Sequence, residues 1–251
     1  MLQLQRSSQV TFLQASELEV IPGVVHGFST RRGTTDNFKM APDAPDVREN
    51  QERFKAAIGT PGWPTFLLHQ VHSNVVHALK DNASANEKPQ GDAAFTGIPG
   101  VMVGVTTADC VPILIADSQA QCVAAVHAGW RGTSEGVTPR AVQGMIEDHG
   151  LDPTRLQIVI GPHIGVCCLE VGEEVYDWFG QPEVFERRPE WDKPHLNLAE
   201  ANRLQLAGVG VKLERIITSS LCTRCRSDLF YSYRRDGDGV GHMLSVIGIE
   251  P

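Results

Sequence analysis

This chain of 251 residues has no basic amino-terminal stretch leading into an apolar run, so its start does not read as a signal peptide. It also lacks any apolar run approaching the roughly 18–20 residues of a membrane helix. Its densest runs, Val101–Val105 and Val111–Ala116, are separated by a stretch that holds Thr107 and Asp109. The expected location is the cytoplasm, with no membrane attachment. Positive charge is in deficit: Lys plus Arg number 22 against 30 Asp plus Glu, a formal charge of −8. With no basic run to offset it, that balance argues against duplex nucleic acid, whose affinity rests on neutralising phosphates. A small anion held by a few local arginines stays compatible with it. Internal repeats, low-complexity tracts and long linkers are missing as well.

What is present is a hydrophobic fraction of 41%, enough for a substantial core. The length suits one large domain or two small ones. The cysteines are Cys110, Cys122, Cys167, Cys168, Cys222 and Cys225. Without an export signal, reduced thiols are the expectation.

Strands are expected at Val75–Leu79, Val101–Val105, Val111–Ala116, Cys122–His127, Leu156–Ile160, Arg215–Thr218 and Met243–Ile249, from short apolar runs bounded by turn residues. Helices are expected after Asp46, whose partner Glu49 completes a capping box, over Val137–Asp148, over Val171–Phe179 and after Asn197. Arg234–Gly241 reads as a glycine-rich turn between strands. Several strands follow one another with links too short for a crossover helix. That pattern predicts an α+β fold with mixed sheets over a doubly wound parallel one.

Three separated segments carry residues suited to a metal: His69-Gln70-Val71-His72, Asp109-Cys110, and His127-Ala128-Gly129-Trp130-Arg131-Gly132. Two imidazoles and a thiolate make a three-ligand zinc set with a fourth position left for chemistry. Spacing alone does not choose between His69 and His72, and satisfied core histidines beside an inert buried thiol would give the same residues. Cys222-Thr223-Arg224-Cys225 lacks an obvious second pair. Adjacent Cys167 and Cys168 look awkward as chelators of one ion, so two reduced thiols near a strand end are the reading there. Asp236-Gly237-Asp238-Gly239 fails as a calcium loop, because Val240 and Ile247 stand where oxygen ligands belong.

Taken in order, Leu68–Ser73, Gly91-Asp92-Ala93, Thr107–Pro112, Val126–Gly132, Ile160–Gly172 and Phe230–Gly237 resemble the laccase-domain (YfiH-like) family, long labelled multicopper polyphenol oxidases. The resemblance spans roughly Val24 to Ile249. It implies one domain over residues 1–251, arranged as a four-layer α/β/β/α sandwich with mixed sheets. It implies a zinc site on His72, Cys110 and His127, with copper as the older assignment. The implied activity is phosphorolysis of adenosine, inosine and S-methyl-5'-thioadenosine, with adenosine deamination by the same protein, in a monomer or homodimer. Cys110, His127 and Asp109 are then the expected catalytic residues, Asp109 for orientation or proton transfer. Arg31 and Arg131 are candidates for phosphate, as guanidinium groups pair with it bidentately, and Gln70 for the base or ribose. The chain departs from the family pattern in the short Arg32–Met40 segment and at His242, where an arginine is usual.

Three other readings compete. A copper phenol oxidase is chemically possible, although nine histidines without a His-x-His pair are sparse for a multicopper array. A metal-free hydrolase would use Cys110 as nucleophile and His127 as base. A non-catalytic binding module would turn over no nucleoside.

Overall fold

The structure is a computed structural model that describes residues 1–7, 10–32 and 45–251. In chain order its first strands are β1 (Leu2–Ser7), β2 (Val10–Ala15), β3 (Val24–Ser29), β4 (Thr65–Leu67), β5 (Val76–Leu79), β6 (Ala93–Thr96) and β7 (Met102–Thr107). They are followed by β8 (Val111–Asp117), β9 (Val123–Ala128), β10 (Leu156–Ile160), β11 (Phe185–Glu186), β12 (His195–Leu196), β13 (Ile216–Thr218) and β14 (Met243–Ile249). The helices are α1 (Ser16–Glu19), α2 (Pro45–Ala57), α3 (Trp130–Ser134), α4 (Val137–His149), α5 (Glu173–Phe179), α6 (Leu198–Gly208) and α7 (Tyr233–Asp236). One six-stranded sheet runs β1-β2-β3-β14-β7-β4 and a second runs β13-β10-β8-β9-β6-β5. Both are mixed: β4 joins β7 in parallel, as do β5 with β6 and β10 with β13, while the other pairs are antiparallel. The α+β class expected from the short connections is the observed one.

Strands that stay apolar on both faces need apolar neighbours on both sides. β8 demonstrates the point. Val111, Ile113 and Ile115 join a cluster with Val142 and Met145 of α4 and Leu206 of α6. Leu114 and Ala116, on the opposite face, pack in a second cluster with Val103 and Val105 of β7, Ile247 of β14 and Phe28 of β3, all from the first sheet. The first sheet has an outer cluster too, where Met102, Leu244 and Val246 meet Phe54 and Ile58 at α2. The continuous apolar runs of β7, β8, β9 and β14 are thus the signature of sheets covered on both sides.

The elements follow their local signals. α4 ends where Gly150 adopts φ +64° and returns its N–H to the Ile146 carbonyl at 2.8 Å. Asn197 caps α6 by accepting from the Glu200 N–H at 3.1 Å. α2 begins at Pro45, and α5 begins at Glu173, two residues later than the apolar pattern placed it. Arg234–Gly241 is not simply a turn: Tyr233–Asp236 forms a short helix because the Ser232 hydroxyl accepts from the Arg235 N–H at its start. Residues 33–40, most of the segment that departs from the family pattern, lie outside the described residues. Among the described residues, no helix is long and apolar enough to cross a membrane.

One buried group gives a pH dependence. His26 on β3 is 1% exposed, and its Nε2 accepts the Ala15 N–H at 2.8 Å, which requires the neutral ring. Burial depresses its proton affinity from 6.5 to about 4. Between those values the unfolded chain binds the extra proton and the folded chain does not, so stability rises with pH across that window. The contribution is full above about pH 6.5 and is lost as pH falls toward 4, at a cost of about 3 kcal/mol. Denaturant titrations at pH 7 and pH 4.5 are expected to show this loss in the wild type and a reduced loss in His26→Gln.

Candidate metal centre

The centre lies at one end of the second sheet, where three connections meet. Pairing of Val111 with Ala128 and of Pro112 with His127 sets the start of β8 beside the end of β9. Ala93 pairs with Val126, which brings the residue before β6, Asp92, to the same place. Asp92 is fully buried. Its carboxylate accepts the backbone N–H groups of Val71 (3.3 Å), His72 (3.0 Å) and Ser73 (2.6 Å), the Ser73 hydroxyl (2.7 Å) and His127 Nδ1 (2.7 Å). The segment after β4 therefore curls around one carboxylate and does not run on as a strand. That curl, which spacing alone could not show, brings His72 and not His69 to the cluster with Cys110 and His127. His72 sits at φ +61° within it.

His72, Cys110 and His127 come together, with their ligating atoms all within 4.8 Å of one another. The two imidazoles meet edge-to-face, with centroids 4.9 Å apart. Cys110 is presented by the β7–β8 turn, in which Asp109 adopts φ +96°. Three non-glycine residues have positive φ among the described residues, and two of them, His72 and Asp109, frame this site. Backbone strain of this kind persists where the surroundings over-determine it, and it concentrates at functional sites. Gly129 follows for a steric reason: a Cβ there would lie 2.9 Å from His72 Cδ2 and 3.2 Å from Cys110 Sγ.

The electrostatics fit a cation. Burial pushes the Cys110 thiol up, but His127 and His72 outweigh it and bring it down to about 6. Burial likewise opposes charge on His127, yet the Cys110 sulfur and the Asp92 carboxylate together raise it to about 9. Asp92 is held at about 2, its burial overcome by hydrogen bonds from His127 and Ser73. A thiolate and a carboxylate thus flank the His127 ring, and either a proton on that ring or a divalent ion at its Nε2 would supply positive charge between them. With Nδ1 committed to Asp92, Nε2 is the nitrogen turned toward Cys110. This is the carboxylate–histidine arrangement that orients metal-bound imidazoles. Two imidazoles and one thiolate match a catalytic zinc with an open fourth position.

That open side is a cavity of about 600 Å³, within the size range of small-molecule sites. Trp130, Ile164, Leu169, Leu198 and Val240 give it an apolar wall, and His69, Arg131, Tyr233, Arg234 and His242 add polar groups. Of the residues expected to bind substrate, Arg131 lines the cavity, with its guanidinium 4.3 Å from the Trp130 ring centroid. Gln70 lines it too, but both ends of its amide are engaged by the backbone of Thr106, each at 2.8 Å. Arg31 lies elsewhere, over the Tyr231 ring at 4.8 Å and donating to the Ser227 carbonyl. Asp109 commits both oxygens to the loop before α7: Oδ1 accepts from the Thr223 hydroxyl (2.6 Å), and Oδ2 from the Ser232 hydroxyl (3.0 Å) and the Arg234 N–H (2.6 Å). Asp109 also lines the cavity, with both of its oxygens engaged in these hydrogen bonds. Arg234, given no role from the sequence, lines the cavity, and His242 falls on its wall, so the departure from the family pattern there alters the cavity itself.

The family described as multi-copper polyphenol oxidoreductase laccase matches residues 25–250. A purine nucleoside phosphorylase of Deinococcus radiodurans is 39% identical, over 90% of this chain and 89% of that protein. The adenosine deaminase RL5, from an unknown prokaryotic organism, is 33% identical over 89% of this chain and 93% of its own length. The crystal structure of the hypothetical protein YfiH from Bacillus licheniformis superposes with a TM-score of 0.88 at 28% identity, covering 98% of this chain and 99% of that one. With nearly its whole length matched in sequence and in fold, this chain belongs to the laccase-like, YfiH-type family.

Proposed function

We propose that this protein is a zinc-dependent purine nucleoside phosphorylase, acting on adenosine, inosine and S-methyl-5'-thioadenosine, that also deaminates adenosine. The observation that carries the reading is the convergence of His72, Cys110 and His127 at the floor of a cavity with an apolar wall and arginines at its side. Relatives bearing both activities by name match nearly the full chain. Zinc, when bound, supplies Lewis-acid chemistry at its open position.

The chain's own residues do the rest. The apolar wall of Trp130, Ile164, Leu169 and Leu198 takes the purine face and excludes water. Arg131 and Arg234 supply the positive charge that phosphate needs. Arg234 is held for this by donation from its Nη1 to the Glu170 carbonyl at 2.9 Å. Rupture of the glycosidic bond builds positive character on the ribose, and a phosphate held beside it both stabilises that charge and attacks. Asp92 keeps His127 in one tautomer throughout. Asp109 anchors the start of α7, which carries Arg234.

A copper phenol oxidase would need several coppers close together. Among the described residues, the groups of three or more potential ligands are this His₂Cys set and a cluster of four cysteines, and neither is a multi-histidine array. A metal-free hydrolase has one observation in its favour, the thiolate–imidazolium pair of Cys110 and His127. Chelation separates the two. The test is incubation of the purified protein with inosine and phosphate. Hypoxanthine and ribose 1-phosphate are expected in equal amounts, dependent on phosphate, lost on chelation and restored by zinc. Hypoxanthine released without phosphate, or turnover indifferent to chelation, would refute the proposal.

A further inference from the structure

β10 and β13 are parallel neighbours, with Ile160 opposite Thr218, so both leave the sheet at the same end. The loop after each carries two cysteines: Cys167 and Cys168 after β10, Cys222 and Cys225 after β13. The loops stay together, through a bridge between His163 and Cys222 and donation from the Thr223 N–H to the His163 carbonyl at 2.9 Å. As a result all four sulfur atoms lie within 4.8 Å of one another. Cys225 Sγ is 3.8 Å from Cys167 Sγ and 3.4 Å from Cys168 Sγ.

We propose that these four cysteines bind a second zinc ion, structural in role and separate from the catalytic centre. A tetrahedron of sulfurs about 2.3 Å from zinc has edges of about 3.8 Å, close to the 3.8 and 3.4 Å from Cys225 Sγ to its two neighbours and far from the roughly 2.05 Å of a disulfide. All six cysteines are free thiols. The donor set is soft and closed, with four thiolates and no open position, which is the composition of structural zinc sites. The surroundings suit the net negative charge of a zinc tetrathiolate. The Gly165 N–H donates to Cys222 Sγ at 3.3 Å, and Arg224 Nη1 reaches Cys168 Sγ at 3.5 Å. Gly165 also makes room, since a Cβ there would stand 3.3 Å from Cys167 Sγ and 3.4 Å from Cys222 Cβ. Adjacent Cys167 and Cys168 looked unsuited to one ion in the sequence. The turn at residues 165–168, closed by the Cys168 N–H on the Gly165 carbonyl at 2.9 Å, brings both sulfurs to the same cluster.

The second ion has a mechanical consequence. Thr223, between the two ligands of its loop, is the residue whose hydroxyl holds Asp109 Oδ1 at 2.6 Å, and Asp109 precedes Cys110 in the chain. Fixing Cys222 and Cys225 therefore braces the turn that presents the catalytic sulfur. Metal analysis of the protein purified without added metal is expected to find two zinc ions per chain. Cys222→Ser/Cys225→Ser is expected to lose one of them and to melt earlier, while Cys110→Ala loses the other. Should the double variant fail to fold, the wild type answers alone: titrating its thiols with an organomercurial releases two zinc equivalents to a chromogenic chelator. Zinc content unchanged by Cys222→Ser/Cys225→Ser, no zinc left in Cys110→Ala, iron in place of the second zinc, or a disulfide within this cluster in the freshly purified protein would overturn the proposal. The outcome is independent of whether the pocket turns over nucleosides.

Discussion

Cys110→Ala is expected to lower kcat/KM for inosine phosphorolysis by about 10³-fold, the effect of losing several kcal/mol of Lewis-acid stabilisation. Cys110 is the one anionic ligand of the His72–Cys110–His127 set. Without it, two neutral imidazoles remain to hold the ion, and the Asp92–His127 pair alone balances its charge. The fold is expected to survive. Cys110 belongs to a turn and not to a strand, and the β8–β9 pairing beside it rests on backbone hydrogen bonds. Steady-state kinetics, zinc content and thermal melting on the same preparation check the three parts together. Near-normal turnover in a variant shown to lack the catalytic zinc would remove the metal from the mechanism.

Asp92→Asn is expected to act more broadly. The carboxylate accepts from three consecutive backbone N–H groups, one hydroxyl and one imidazole, all with acceptor lone pairs that an amide cannot duplicate. Whichever way the amide is turned, its NH₂ faces either His127 and the His72 N–H or the Val71 and Ser73 N–H groups, donor against donor. Zinc affinity is expected to fall by about 10- to 100-fold, the usual effect of removing the partner that orients a ligating histidine. Stability is expected to fall by about 2–3 kcal/mol, since buried donors are left unpaired. The two effects separate in one experiment: excess zinc restores activity, while the melting temperature recovers only in part. A variant with wild-type zinc affinity would show that His127 needs no carboxylate behind it.

The parts of this account that were legible in the sequence are those written in local pattern. The apolar runs at 111–116, 156–160 and 243–249 became β8, β10 and β14 with little change, because buried strands hold few polar residues to blur their limits. The candidate residues were legible too, as His72, Cys110 and His127 stand in motifs that resemble a known family, and the structure brings the three side chains together. What the sequence concealed is long-range. Asp92 lies 35 residues from His127 and 20 from His72, and only the pairing of β6 with β9 brings it to both. Its one local trace is a carboxylate set between Gly91 and the apolar run of β6. The four cysteines are paired by the parallel contact of β10 with β13, which no spacing along the chain announces. β1, β2 and β3 were also missed, because their apolar residues are interleaved with Gln, Ser, Thr and His and give no clear run.

The central claim is that one zinc ion sits among three side chains that come from distant parts of the chain. Anomalous diffraction at the zinc edge, on crystals of active protein grown without added metal, tests it most directly. The account predicts a peak bonded to a His72 ring nitrogen, Cys110 Sγ and His127 Nε2 at about 2.0–2.3 Å, with its remaining side open to the cavity. Fully active crystals with no anomalous density at that position would contradict it.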